Sequence, residues 1–324
     1  MLFTSFPDTN LKPSVICLGT GTFGSDISTD ASFAMLDAFA EAGGNFADTA
    51  HVYAAWLLQG VGQSERTLGK WLASRQPRDF LVGTKGGHPD LATMDVSRLT
   101  PDCIASDLEE SLDRLGLSTV DLYWLHRDDP QVPVGEILDA LNEHIDAGRV
   151  RYLGASNWSV ERITTTNEEA KQRGLVGFCA SQIAWSLAEV NPQKRGAGGS
   201  VQMHEAILTW HRNTGFPIAA YSAQANGFFA HPLPVPGAEM TDKQKALAPS
   251  YLSSKNALCH ARAQELGLRL GRSAHEVALA YVWNQTFPAV AIIGPRRLEQ
   301  LRDSLNAADL RLSDEDVAFL EATN

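Results

Sequence analysis

Short apolar runs alternate with longer segments of helical period along the whole chain. Val15 to Leu18 is followed by Ala31 to Ala42, Asn45 to Ala47 by Glu65 to Ser74, and Phe80 to Thr84 by Pro101 to Leu115. Leu122 to Leu125 precedes Val134 to Ala147, Tyr152 to Ala155 precedes Val160 to Arg173, and Phe178 to Ile183 precedes Val201 to Asn213. Phe216 to Tyr221 opens a seventh unit. A loop with Pro232, Pro234, Pro236 and Gly237 interrupts it before helical stretches near Ser254 to Leu268 and Ser273 to Gln285. The eighth unit is Ala289 to Ile293 with Arg297 to Ala307, and Ser313 to Ala322 reads as a terminal helix opened by a capping box.

A strict strand-helix repeat implies parallel strands, and eight such units close an α/β structure of the (β/α)8 or TIM-barrel class. Runs such as Leu122-Tyr123-Trp124-Leu125 suit strands buried on both faces. No linker divides the chain, so a single barrel domain over residues 1–324 is predicted. With 44% hydrophobic and 20% charged residues, the composition supplies a large core. A net charge of -11 works against binding a polyanion, which excludes nucleic acid as the expected partner. Cys17, Cys103, Cys179 and Cys259 lie far apart and form neither a zinc pattern nor a disulfide framework, as expected of a reducing cytoplasm. The first residues lack the marks of a secretory signal, and no stretch is long and apolar enough to span a membrane. A cytoplasmic monomer or weak homo-oligomer without a membrane partner is expected.

Gly19-Thr20-Gly21-Thr22-Phe23-Gly24 follows the first run and matches G-x-G-x-x-G, with Asp48 near the end of the next run. In a doubly wound dinucleotide fold the helix opens directly on such a loop, so that its N-terminus meets the pyrophosphate. Here Ser25 to Asp30 intervene before the first helical face. A tight glycine turn at a barrel strand end is the better reading, and Gly21 and Thr22 in it can still lie beneath a cofactor.

Barrel enzymes do their chemistry at the C-terminal ends of the strands. Asp48 closes the second run, Tyr53 lies on the loop after it, Lys85 closes the third, and His126 closes the fourth. Singly, each has an ordinary structural reading: a turn cap, a packed ring, a solvated amine, a bonded histidine. Together they make a proton donor. A tyrosine hydroxyl titrates near pH ~10, and an adjacent cation that stabilises phenolate helps it protonate a carbonyl oxygen at neutral pH. Lys85 supplies the cation, Asp48 the counter-charge that a buried lysine needs, and His126 a hydrogen bond to orient the carbonyl. This chemistry requires no metal.

Asp48-Thr49-Ala50 with Tyr53, Thr84-Lys85 and Trp124-Leu125-His126 resemble the catalytic tetrad of the aldo-keto reductases in kind, order and strand position. Gly62-Gln63-Ser64-Glu65-Arg66-Thr67-Leu68-Gly69 looks like that family's opening of the second barrel helix. Leu112-Asp113-Arg114-Leu115-Gly116 with Asp121 looks like its segment before strand four. The resemblance covers nearly the whole chain. It implies reversible NADPH-dependent reduction of an aldehyde or ketone, sugar-derived and cyclic carbonyls included, with Tyr53 as acid and base. The implied cofactor is NADP(H), with NAD(H) as the alternative. By the same resemblance Ser156, Asn157 and Gln182 serve the nicotinamide carboxamide, and Tyr221 stacks on its ring with Ser222 beside it. Gly21, Thr22, Asp48, Gly294, Arg296, Gln300 and Ser304 complete the cofactor set. On physical grounds alone Asn157 equally suits helix capping, and Tyr221 core packing. Arg296 is placed for a 2′-phosphate, with Arg297 facing solvent. Two features depart from the family pattern: Ser304 stands where it has Asn, and Ala223-Gln224-Ala225-Asn226-Gly227 replaces its Pro-Leu-containing loop.

Phe23, Trp56 and Trp158, with Tyr53 and His126, are candidate substrate contacts, and His88 and Trp185 also follow strand ends. Aromatic walls of this kind suit sugar-derived and cyclic carbonyls as well as aromatic aldehydes. The segment 224–254 reads as a lid or side wall. Two rival functions compete with the reductase. A Schiff-base aldolase would use Lys85 but leaves Tyr53 and Arg296 without a role, and a cofactor-sensing subunit would bind the nucleotide with little turnover. The expected partner is a small-molecule carbonyl or alcohol.

Overall fold

The computed structural model describes residues 1–196, 199–235 and 237–322; Pro236 of the proline-containing loop lies outside the described residues. Eight parallel strands pair in sequence order: β1 Ile16–Gly19, β2 Phe46–Asp48, β3 Leu81–Gly86, β4 Val120–Leu125, β5 Val150–Ser156, β6 Phe178–Gln182, β7 Ile218–Ala220 and β8 Ala289–Ile293. The last pairs with the first and closes the expected barrel. Helices α1 Thr29–Glu41, α2 Gln63–Arg75, α3 Pro101–Leu115, α4 Val134–Asp146, α5 Val160–Arg173 and α6 Glu205–Thr214 join successive strands up to β7. Helices α7 Asp242–Tyr251, α8 Ser254–Leu270 and α9 Ala274–Trp283 lie between β7 and β8, and α10 Leu298–Leu305 and α11 Asp314–Glu321 follow β8. Among the described residues no helix is long and apolar enough to cross a membrane.

Local chemistry sets the helix ends. The Thr100 hydroxyl accepts from the Cys103 amide to cap α3, Pro101 occupies its first turn, and Gly116 closes it at φ +66°. Ser313 caps α11 with Asp316 as the reciprocal partner. The glycine turn after β1 does not open α1, which begins at Thr29 on a Ser28 cap. Two expected boundaries move. Val201 to Met203 is extended, because the Ala184 amide donates to the Val201 carbonyl at 2.9 Å and the Met203 amide to the Ala184 carbonyl at 2.8 Å. The third strand runs past Thr84 to Gly86, which sets Lys85 inside the barrel wall. The segment 224–254 is a packed side wall: it contains α7 and a 3₁₀ turn at Ala225–Ala230, and Phe228, Phe229, Leu247 and Tyr251 anchor it in the core.

Two apolar layers hold the barrel. The outer one joins outward strand side chains to the surrounding helices. The inner one contains Cys17, Phe46, Leu122, Trp124, Ala180, Ala219, Val290 and Ile292, with Leu81 and Tyr152 packed against it. Phe6 and Leu11, from an N-terminal hairpin that the sequence pattern did not suggest, join the same cluster. Strand side chains alternate between faces, so the inward rows continue upward at every second residue. Asp48 lies two residues beyond Phe46, His126 two beyond Trp124, Gln182 two beyond Ala180 and Tyr221 two beyond Ala219. Lys85 and Ser156 lie four beyond Leu81 and Tyr152. The polar mouth is the top of the interior.

Trp124 fills its layer because the residue paired with it on β5 is Gly154. A Cβ on Gly154 would lie 2.2 Å from the indole. Gly154→Ala should therefore lower stability by about 1–3 kcal/mol through overpacking. The urea unfolding midpoint reads this directly, and an unchanged midpoint would mean that the indole yields to the methyl group.

Candidate active site

Lys85 and Asp48 are each 1% exposed, so neither charge is relieved by water. The Lys85 ammonium donates to Asp48 Oδ2 at 2.5 Å, to the Thr49 carbonyl at 2.7 Å and to the Tyr53 hydroxyl at 2.9 Å. Its three protons thus have three acceptors. Burial works against the ammonium, but Asp48 first and Tyr53 second outweigh it and hold Lys85 above the ordinary lysine value. An amine held protonated has no lone pair for a carbonyl, which argues against Schiff-base chemistry. The other Asp48 oxygen accepts from Gln182 Nε2 at 3.0 Å.

Burial pushes the Tyr53 hydroxyl above its ordinary value; Lys85 pulls it down and Asp48 adds to the rise. Lys85 stabilises phenolate as expected, yet the net shift is upward, so the phenol keeps its proton at neutral pH. His126 follows β4, its ring edge-on to Tyr53 with centroids 5.9 Å apart. Burial, then Lys85, His88 and Arg127, holds it well below the ordinary histidine value, so the imidazole is neutral. Trp56, 53% exposed, stands edge-on to Tyr53 at 6.4 Å, and His88 lies edge-on to His126 at 4.9 Å. These four rings form one wall of the mouth.

The loop carrying Tyr53 is braced from below. Arg114 Nη1 donates to the His51 carbonyl at 3.2 Å and to Glu65 Oε2 at 3.2 Å, while Thr84 donates to Glu65 Oε1 at 2.7 Å. The Ser64 hydroxyl bonds Thr49 at 2.8 Å and Thr20 at 2.9 Å. The two segments noted for their family likeness therefore act as positioning elements. The residue-type signal for them was polar side chains at the start of α2, where Ser64 and Glu65 are fully buried.

Between β5 and β8 the mouth carries Ser156, Asn157, Gln182, half-exposed Tyr221 and exposed Ser222. The Asn157 side chain is already engaged: Nδ2 donates to the His126 carbonyl at 3.4 Å and to Ser156 Oγ at 3.1 Å. Its Oδ1 accepts from the Tyr221 hydroxyl at 2.7 Å and the Val201 amide at 3.0 Å. Asn157 does not cap α5, a role taken by Ser159. Gly21 lies beside the Tyr53 ring and Thr22 is half-buried in the same turn, while Gly294 faces open space. Arg296 is 69% exposed; it pairs with Asp26 at 3.2 Å, and its amide donates to Gln300 Oε1 at 2.8 Å. Arg297 is exposed.

Two expectations are corrected. Phe23 is 1% exposed, because the tight turn in which its amide bonds the Thr20 carbonyl folds the ring into the core. Trp158, also 1% exposed, packs edge-on against Phe178 with Arg162 over its ring. Neither ring is exposed at the mouth. Ser304, 1% exposed, donates to the Gln300 carbonyl and accepts from Gln224, each at 2.8 Å, so its hydroxyl, like the Asn157 side chain, is engaged within the protein. Trp185, with Tyr281 and Phe287 against it, is also a core residue.

A model described as "Aldo/keto reductase family" matches residues 15–324. Norsolorinic acid reductase stcV of Emericella nidulans is 31% identical over 98% of this chain and 80% of its own length. The uncharacterized oxidoreductase YrpG of Bacillus subtilis is 29% identical over 99% of this chain and 95% of its own. A crystal structure of the thermostable aldo-keto reductase Tm1743 with the inhibitor epalrestat superposes with a TM-score of 0.72, at 23% identity, over 99% of both chains.

Asp48→Asn would leave a buried ammonium without its counter-charge. Stability in urea should fall by about 3–5 kcal/mol, and adding Lys85→Met should recover most of the loss. Losses that simply add in the double variant would show that the two residues do not act as a pair.

Proposed function

Because this chain belongs to the aldo/keto reductase family, we propose that it reduces an aldehyde or ketone to the alcohol with NADPH, and that Tyr53 protonates the carbonyl oxygen. The observation that carries this reading is the Lys85 ammonium 2.9 Å from the Tyr53 hydroxyl and 2.5 Å from Asp48. Tyr53 holds a proton at the mouth, and Lys85 stabilises the phenolate left when that proton goes to the substrate oxygen. Neutral His126 orients that oxygen by hydrogen bonding. Trp56, beside Tyr53, forms an apolar wall for the substrate.

The donor set fits a nicotinamide cofactor, which when bound supplies the hydride. Ser156, Gln182 and Asn157 offer amides and a hydroxyl for a carboxamide, the Asn157 bonds being exchanged for it, and Tyr221 offers a ring face. Arg296, exposed and in a solvent-facing ion pair with Asp26, would hold a 2′-phosphate, with Gln300 and Gly294 beside it. Gly21 and Thr22 line the floor near Tyr53.

Tyr53→Phe should lower kcat for reduction by roughly 100-fold or more while NADPH still binds, as read by quenching of protein fluorescence. In the unsubstituted protein the sign of the pH dependence follows from the two shifts. Reduction needs the phenol protonated and Tyr53 is raised, so activity falls only as pH climbs through the alkaline range. His126 is neutral throughout, so no inflection appears near its ordinary value of ~6.5. A variant at full turnover, or an inflection there, would overturn the assignment.

Arg296→Ser should narrow the preference for NADPH over NADH by roughly 10- to 100-fold in kcat/KM. An unaltered ratio would remove Arg296 from phosphate recognition.

A further inference from the structure

Arg127 directly follows His126 at the end of β4, and the function proposed above gives it no role. Its Nη1 donates to the His126 carbonyl at 3.1 Å, an acceptor shared with Asn157 Nδ2. Its Nε is buried and has no hydrogen-bond partner among the described residues. No carboxylate among those residues comes within 4.0 Å of the guanidinium. The acids next to it are engaged elsewhere: Asp128 pairs with Arg162 at 3.2 Å, and Asp129 Oδ1 accepts from the Gln131 amide at 3.0 Å.

The surroundings of Arg127 locate its charge. A Cβ on Gly199 would sit 3.7 Å from Nε, so the loop before α6 lies against the arginine. The groups whose ionisation it influences are Tyr53, Tyr221, His126 and His88, the rings of the reaction centre. Burial lowers the guanidinium from its ordinary value, as expected for a desolvated cation lacking a counter-ion. In an eight-stranded closed barrel β4 stands opposite β8, so Arg127 and Arg296 follow strands on opposite sides of the mouth.

We propose that Arg127 binds an anionic group on the carbonyl substrate itself, a carboxylate or a phosphate a few bonds from the reacting carbon. The inference rests on the reductase reading and adds a substrate class to it: oxo acids, or phosphorylated aldehydes and ketones. The carbonyl oxygen lies at Tyr53 and His126, and the anion takes the unfilled donors of the neighbouring residue. A bidentate contact to the guanidinium would also offset the desolvation that the free protein leaves uncompensated.

The test compares kcat/KM with NADPH for matched pairs: para-carboxybenzaldehyde against its methyl ester, and glyceraldehyde phosphate against glyceraldehyde. Unsubstituted protein should favour one or both anionic members by roughly 10- to 100-fold, less in added salt, and the larger preference identifies the anion. Arg127→Met should collapse that ratio toward one, mainly through KM, and Arg127→Lys should restore part of it. A preference absent from the unsubstituted protein, or both members of a pair falling in equal proportion in Arg127→Met, overturns the proposal. Calorimetric binding of para-hydroxymethylbenzoate against benzyl alcohol separates the two readings. If no carbonyl is reduced, the reductase reading fails, while anion-selective binding lost in Arg127→Met upholds the role of Arg127; absence of that selectivity overturns it.

Discussion

An ammonium group taken out of water and set inside a barrel costs several kcal/mol unless the protein replaces its hydration. Lys85 meets that condition with three acceptors, a carboxylate, a carbonyl and a phenol, each within 2.9 Å. Much of the mouth follows from this. Asp48 has to end β2 on the inward face, and the loop after it has to fold back far enough to bring Tyr53 over the amine. Gln182 then takes the carboxylate oxygen that Lys85 leaves free. The same buried positive charge helps keep His126 neutral, which makes it a hydrogen-bonding group and not a second cation.

That loop has too little regular structure to hold its shape alone. Arg114 and Glu65 tie it to α3 and α2, and Ser64 ties its start to the turn after β1. Holding the Tyr53 hydroxyl over Lys85 thus draws on residues from four neighbouring elements. On the far side of the mouth the exposed Asp26–Arg296 pair contributes little to stability, because both charges are well solvated. Its arginine is correspondingly free to take another anion.

Much of the site was legible because a barrel strand alternates faces. A polar residue closing an apolar run continues the inward row, and this picked out Asp48, Lys85 and His126 without any knowledge of contacts. The rule weakens beyond the strand end. Phe23 lies four residues beyond β1 and Trp158 two beyond β5, and both rings are buried in the core. Turn geometry decides which way a loop side chain points, and residue type does not encode it. Ser304 stands on α10 at the place of a cofactor residue in the resembled pattern, and Gln224 from the loop after β7 bonds its hydroxyl, a contact that residue type does not encode.

What the sequence determined by itself was local or periodic. Eight repeats of a strand and a helix, helix caps such as Thr100 and Ser313, and a row of polar residues at strand ends all arise from interactions within a few residues. Tertiary structure decided everything that depends on two charges or two rings meeting from distant parts of the chain. Lys85 finds its counter-charge 37 residues away, and Gln182 reaches Asp48 across 134. That Arg127 finds no such partner among the described residues is equally a tertiary result. Charge pairing in a desolvated interior acts through space between side chains that only the closed barrel brings together, so order along the chain carries no direct record of it.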